Sequence, residues 1–198
     1  MKKERREGEV SRKTKETNIE LSICLDGEGN SGIDCGVPFM NHMLELFSKH
    51  GFFDLNVKAK GDLEVDYHHT LEDLGIVLGE ALKKSIGTKK GINRYGSCLL
   101  PMDEALALVS LDLSGRSYLA YDVKTKADNV NGIDVRLFHE FFYAVAMNSG
   151  MTLHIKLLSG EEIHHVVEAV FKAFAKALRQ AVDLNPRVKD IPSTKGRL

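Results

Sequence analysis

His68-His69-Thr70-Leu71-Glu72-Asp73 opens a run whose apolar residues recur at helical spacing, and its reading decides the fold. His68 and Glu72 stand four residues apart, so on a helix they share one face and can grip one metal ion. His69 points about 100° away around the helix and is available to a different ion. The pattern returns as His164-His165-Val166-Val167-Glu168, and 164 − 68, 165 − 69 and 168 − 72 all equal 96. The apolar stripe behind the ligands returns at the same offset: Leu74, Val77, Leu78, Ala81 and Leu82 become Val170, Ala173, Phe174, Ala177 and Leu178. One His-His pair on a helix is an ordinary surface or core feature. Two in register within duplicated helices point to metal.

The chain could be one domain or two halves of about 100 residues each, and the repeat favours fused halves. With 198 residues and a 43% apolar share, the chain can bury a real core. The net charge of −1, from 27 basic and 28 acidic residues, argues against a general nucleic-acid binder. Cys24, Cys35 and Cys98 form no C-x-x-C pair and leave an odd thiol, so reduced cysteines and a cytoplasmic location are expected. No apolar run reaches membrane-spanning length, and the first residues lack a signal-peptide core. A soluble protein with no membrane partner is expected.

Met1 to Val10 is nearly all charge and reads as a disordered tail (residues 1–10). Ile19, Leu21, Ile23 and Leu25 alternate as a strand with one buried face, and the Asp26–Asn30 turn predicts a hairpin partner near Ile33 to Val37. Asn41 to His50 reads as a helix with Asn41 as its cap, and His42 in its first turn is a ligand candidate or a packed core histidine. Leu55, Val57 and Ala59 alternate as a further strand, paired with Leu63 to Tyr67 after the Gly61-Asp62 turn, and the first metal helix runs to about Ile86, where Gly87 ends it. The second half replays the order. It has strands at Ala105 to Leu113, Tyr118 to Val123 and Leu153 to Leu157, a helix at Val135 to Ser149, and the second metal helix. The predicted fold is α+β, with duplicated halves at 11–92 and 93–185, each a small mixed sheet carrying helices on one face. Residues 186–198 form a basic C-terminal tail.

Laying one half on the other sets His42 opposite Glu140 or Phe141, depending on where one gap falls, and His139 is a second candidate in that stretch. Imidazole with carboxylate suits manganese, iron or zinc, and eight such residues make four ligands for each of two metals. Lys172 lies four after Glu168, on the ligand side of its helix. Arg94 and Arg116 sit in Gly-containing loops where a guanidinium can receive phosphate, and the tail adds Ser193 and Lys195. Glu16, just ahead of the first strand, looks like a bland surface carboxylate by pattern alone.

The chain resembles the imidazoleglycerol-phosphate dehydratase family from about Arg12 to Leu198. The resemblance rests on the two H-H-x-x-E motifs, on Lys15-Glu16-Thr17-Asn18, on Pro101-Met102-Asp103-Glu104 and on Pro192-Ser193-Thr194-Lys195-Gly196. It implies a duplicated fold of the ribosomal protein S5 domain 2-like type, assembled as a homo-24-mer, an octahedral shell with active sites between subunits. It implies two Mn2+ ions per active site, held by His42, His68, His69, Glu72, Glu140, His164, His165 and Glu168. By the helix argument His68 and Glu72 share one ion with His42 and His165, while His164 and Glu168 share the other with His69 and Glu140. It implies a phosphate grip from Arg94, Arg116, Lys172, Ser193 and Lys195, with the C-terminal tail binding substrate, and it makes Glu16 the catalytic acid/base. Three departures from the family pattern are Glu140 where some members have His, Asn41 where Asp is common, and Leu46 where some members have Gln.

The implied reaction is that of a carbon–oxygen lyase of L-histidine biosynthesis. Water leaves imidazoleglycerol phosphate to give imidazole acetol phosphate, by way of a metal-stabilised imidazolate. The proton to be taken is scarcely acidic, which is why two metals would bracket one flat ring. A non-catalytic metal-binding shell would use the same ligands but would need neither the phosphate grip nor Glu16. A di-metal phosphatase is more usually built on aspartates.

Overall fold

The structure, a computed structural model, describes residues 5–198. Its first half runs β1 (Glu7–Lys13), β2 (Thr17–Cys24), β3 (Ser31–Asp34), α1 (Pro38–Gly51), β4 (Asp54–Gly61) and α2 (His68–Ile86). The second runs β5 (Tyr95–Met102), β6 (Ala105–Asp112), β7 (Tyr118–Asp122), α3 (Arg136–Ser149), β10 (Thr152–Ser159) and α4 (Ile163–Val182), with a small hairpin, β8 (Asn129–Val130) and β9 (Ile133–Asp134), inserted before α3. The sheets have orders β1-β2-β4-β3 and β5-β6-β10-β7, which are the same order once the elements are matched. The duplicated α+β architecture read from the repeat is therefore present in the pairing itself.

Each sheet buries one face because its strands alternate. Ile19, Leu21 and Ile23 point inward from β2 while Asn18 and Glu20 stay in water, and Ala107, Val109 and Leu111 do the same from β6. Helix α2 covers β1 and β2, α4 covers β5 and β6, and the helices then meet across the halves, α1 on α4 and α2 on α3. One apolar cluster spans both halves.

The close fit of helix on sheet also repeats. A Cβ on Gly8 of β1 would stand 2.1 Å from the Ala81 carbonyl oxygen, and one on Gly96 of β5 would stand 1.9 Å from that of Ala177. These pairs are duplicates, since 96 − 8 is 88, the β2-to-β6 register offset, and 177 − 81 is 96, the helix offset.

Five details differ from the sequence reading. Residues 1–10 do not all form the expected tail: residues 1–4 lie outside the described residues, and Glu7–Lys13 is a strand paired antiparallel with β2. Alternation was hidden there because the buried positions are held by Gly8 and Val10 amid charges. Strand β5 was also unforeseen, and it is β6's hairpin partner. The segments expected to close hairpins, β3 and β7, instead pair parallel with β4 and β10 through the crossovers α1 and α3. Asn41 is not the cap of α1: the helix begins at Pro38, which Pro favours at the first turn, and the Asn41 Oδ1 accepts from the Cys35 N–H at 2.9 Å. Leu63 to Tyr67, read as a strand, has no strand pairing and contains a turn at 63–65.

Gly96→Ala is expected to lower stability by about 1–3 kcal/mol or more through overpacking against the α4 backbone. Ser110→Ala, on the exposed side of the same sheet, is expected to change it by less than ~0.5 kcal/mol. Urea unfolding followed by circular dichroism measures both, and equal effects would mean that the Gly96 contact relaxes freely.

Candidate metal and substrate site

Helix pairing across the halves brings the ligand candidates together. His42 comes from the first turns of α1, and His164 and Glu168 from one face of α4. The His42 Nε2 lies 2.8 Å from Glu168 Oε1, and the His164 Nε2 lies 3.1 Å from the same oxygen. Ligand atoms of the three residues fall within 4.8 Å of one another, a compact nitrogen–oxygen donor set that fits a divalent ion. Lys172, one turn beyond Glu168, donates to its other oxygen and lies 3.4 Å from Met102 Sδ. Burial works against the ionised Glu168, but Lys172 and the two histidines outweigh it and hold its carboxyl down at about 2.

The second cluster is the duplicate of the first. Helices α1 and α3 are both 14 residues long, and 136 − 38 = 98 and 149 − 51 = 98, so His42 matches Glu140 and not Phe141. Glu140 and His68 line one cleft, with Tyr67, Asp134 and Arg136, where α2 meets α3. Glu72 Oε2 stands 3.5 Å from His68 Nε2. His139 instead packs against aromatic rings, edge-on to Tyr121 and stacked on Tyr143, with Nδ1 3.0 Å from Glu140 Oε1.

The partition expected from the sequence grouped His42 with His68 and Glu72, and Glu140 with His164 and Glu168. Within this chain the partners are exchanged, because α1 packs on α4 and α3 on α2. His69 and His165 join neither cluster. The His69 Nδ1 lies 2.9 Å from Asp62 Oδ2, and its Nε2 lies 3.9 Å from Glu16 Oε1. The His165 Nδ1 lies 2.8 Å from Glu104 Oε2, with its Nε2 3.6 Å from Asp103. Both imidazoles have pKa values raised, first by these hydrogen bonds, and the Glu104 carboxyl is lowered to about 2, first by its bond to His165.

Glu16 sits exposed at the β1–β2 turn, and its surroundings are firmly held. The Thr14 Oγ1 accepts from the backbone N–H groups of Glu16 and Thr17, the Thr17 hydroxyl donates to buried Asp73 at 2.5 Å, and Arg12 donates to the same carboxylate at 3.0 Å. Asp73 is thus the last residue of the quoted motif and the anchor of the Glu16 turn, a role that helical spacing alone does not reveal. The basic residues divide. Arg94 donates to both oxygens of Asp112, at 2.7 and 3.0 Å, and to the Pro192 carbonyl at 2.9 Å, which ties down the chain beside Ser193. Arg116, 70% exposed, reaches Asp112 at 3.7 Å. Lys195 is exposed, and Lys172 belongs to the Glu168 cluster. Leu46 is half-buried against the core.

The chain belongs to the imidazoleglycerol-phosphate dehydratase family, whose model matches residues 35–178. It is 58% identical over 193 residues to the imidazoleglycerol-phosphate dehydratase of Acetivibrio thermocellus, covering 98% of this chain and 99% of that one. With the Clostridium novyi enzyme it shares 55% identity over 185 residues, covering 93% of this chain and 94% of that protein. The crystal structure of the Staphylococcus aureus dehydratase superposes with a TM-score of 0.81 at 42% identity, covering 90% of this chain and 98% of that one. That of the Pyrococcus furiosus protein gives 0.83 at 40%, covering 96% and 100%.

Glu140→Ala is expected to lower the metal content of purified protein, measured by plasma mass spectrometry, while His139→Ala leaves it near the parent value. The reverse result would move the ligand role to His139.

Proposed function

We propose that this family member dehydrates imidazoleglycerol phosphate at a site holding two manganese ions, completed between subunits of a 24-subunit shell. The observation that carries this reading is the convergence of His42, His164 and Glu168 at the α1–α4 contact. By duplication, His68, Glu72 and Glu140 make the matching set at α2–α3. Each set has three ligands within one chain, and His69 and His165 stand outside both. A neighbouring subunit's set takes the fourth ligand from them, leaving positions open for substrate. When bound, such ions act as Lewis acids on the nitrogens of the substrate's imidazole ring.

The chain's own residues supply the rest. Glu16 takes the proton from the glycerol side chain, the hydroxyl beside the ring leaves as water, and the resulting enol becomes the ketone of imidazole acetol phosphate. Its place at a turn braced by Thr14, Thr17 and Asp73 suits a group that must be exposed yet fixed. Arg116, Ser193 and Lys195 bind the phosphate, with Lys172 at the edge of the ligand cluster. Arg94 shapes that grip by holding the C-terminal residues 186–198 as a substrate-binding tail. The outer face of the second sheet, where Leu99 and Tyr118 are each 56% exposed and Leu106 and Leu108 half-buried, supports assembly. No helix among the described residues is long and apolar enough to cross a membrane, which accords with action in the cytoplasm.

Assay with imidazoleglycerol phosphate is expected to show turnover that depends on added manganese. Glu16→Gln is expected to keep metal and substrate affinity while turnover falls by about 10²–10⁴-fold. Near-parent turnover in the metallated variant would assign the proton to another group. Chelation is expected to convert the large particle to smaller species, most simply trimers, in size-exclusion chromatography with light scattering. A particle of unchanged mass that has lost its metal would refute ligand sharing between subunits.

A further inference from the structure

The two histidines outside the in-chain clusters are held by carboxylates from non-equivalent places, and this break in the duplication has a chemical reason. Strand register fixes the correspondence. Ile19 pairs with Ala59, Leu21 with Val57 and Ile23 with Leu55, while Ala107 pairs with Leu157, Val109 with Ile155 and Leu111 with Leu153. The β2-to-β6 offset is therefore 107 − 19 = 88, and the β4-to-β10 offset is 157 − 59 = 98. Glu16 then corresponds to Glu104; beyond the bulge that follows Leu157, Ser159 pairs with Leu106 as Lys60 pairs with Asn18, so Gly160 matches Gly61 and Glu161 matches Asp62.

Each half thus has two positions from which a carboxylate could reach the second histidine of its motif. In the second half the matching strand-end residue, Glu161, accepts from Lys126 at 3.1 Å, and Glu104, on the hairpin turn, holds His165. In the first half the strand-end position is Asp62. It holds His69, and the hairpin carboxylate Glu16 makes only the 3.9 Å approach to the far ring nitrogen.

We infer that Asp62 and Glu104 are positioning residues for His69 and His165, and that Asp62 releases Glu16 from this duty in the half where a carboxylate is needed for proton movement. An ionised carboxylate only accepts hydrogen bonds, so each bond fixes the proton on Nδ1 and leaves the Nε2 lone pair facing outward. That is the nitrogen with which a histidine outside its own cluster reaches a metal in a neighbouring subunit. Glu104 is further stiffened by accepting from the backbone N–H groups of Glu161 and Glu162, at 3.3 and 2.9 Å, just ahead of the helix that carries His165.

This inference rests on the two-metal reading, and the test separates the two. Manganese affinity is measured by chelator competition on the full chain for Asp62→Ala, His69→Ala and the double variant, and likewise for Glu104→Gln, His165→Ala and their double variant. Thermal unfolding of the metal-free proteins reports the fold. Asp62→Ala and Glu104→Gln are each expected to weaken manganese binding by about 10–100-fold, the scale for losing an orienting partner of a metal ligand. Each double variant is expected to bind no more weakly than its histidine variant alone, because a positioning residue has nothing left to position. A double variant whose loss is the product of the two single losses would overturn the inference and leave the ligand assignment standing. Unchanged affinity in Asp62→Ala and Glu104→Gln beside a loss in the histidine variants would do the same. Unchanged affinity in His69→Ala and His165→Ala would remove both. Should Asp62→Ala fail to fold, Glu104→Gln decides, because its amide oxygen still accepts from the backbone of Glu161 and Glu162.

Discussion

Phe47 of α1 stacks on Phe174 of α4 with ring centroids 5.4 Å apart, and Phe39 stands edge-on to Phe138 of α3 at 6.1 Å. These contacts run from one half of the chain to the other. From Phe174 the cluster continues to Phe142, and Phe171 joins it through Phe138, Phe141 and Phe142. Eight of the nine phenylalanines are buried in the core, while Phe52, in the left-handed conformation at the end of α1, is exposed. Burying such rings is worth roughly 1.5–3 kcal/mol each, and the place where they are buried is the seam. The ligand clusters sit at the ends of the same helices, so the packing that stabilises the fold also sets the distances between His42, His164 and Glu168.

The helices were the most legible part of the sequence. Their apolar stripes are long and regular, and the ligand candidates ride on the opposite face, so α2 and the start of α4 could be placed to within a residue. What the sequence withheld was which helix packs on which. Spacing along a helix shows that His68 and Glu72 share a face, but it is silent about the partner, and the partition of ligands between clusters depended on the partner. The strands misled for a related reason. A turn such as Asp26–Asn30 announces a reversal, yet the chain after it skips β2 and pairs parallel with β4, a choice made by the α1 crossover and not by local residues. Strand β1 was obscured by its composition: its inward face carries Gly8, Val10 and the charged Arg12, and glycine carries no hydrophobic signal.

Two polar networks were invisible to motif reading because their members are far apart in the chain. Arg12, Thr17 and Asp73 meet in the first half, and Arg94, Asp112 and Pro192 in the second. Each takes a charge that composition would leave on the surface and uses it to fix the segment beside Glu16 or Ser193 to the scaffold. Arg94 is the clearer case. Its guanidinium is engaged by Asp112 and by the Pro192 carbonyl, so it holds the start of the tail in place.

The crossing of the helices also bears on how such a chain could have arisen. A single half would leave the inner faces of its two helices, the surfaces now covered by the other half, open to water. A second, identical half would cover them by the same contacts taken in the opposite sense, which is the geometry of a two-fold dimer. Joining two copies through the segment between α2 and β5 would turn that encounter, dependent on concentration, into an intramolecular one. It would also let the copies differ. Asp62 and Glu161 could turn to different partners, His69 and Lys126, and Glu16 and Glu104 could take separate tasks, divergence that a homodimer bound to one sequence could not reach.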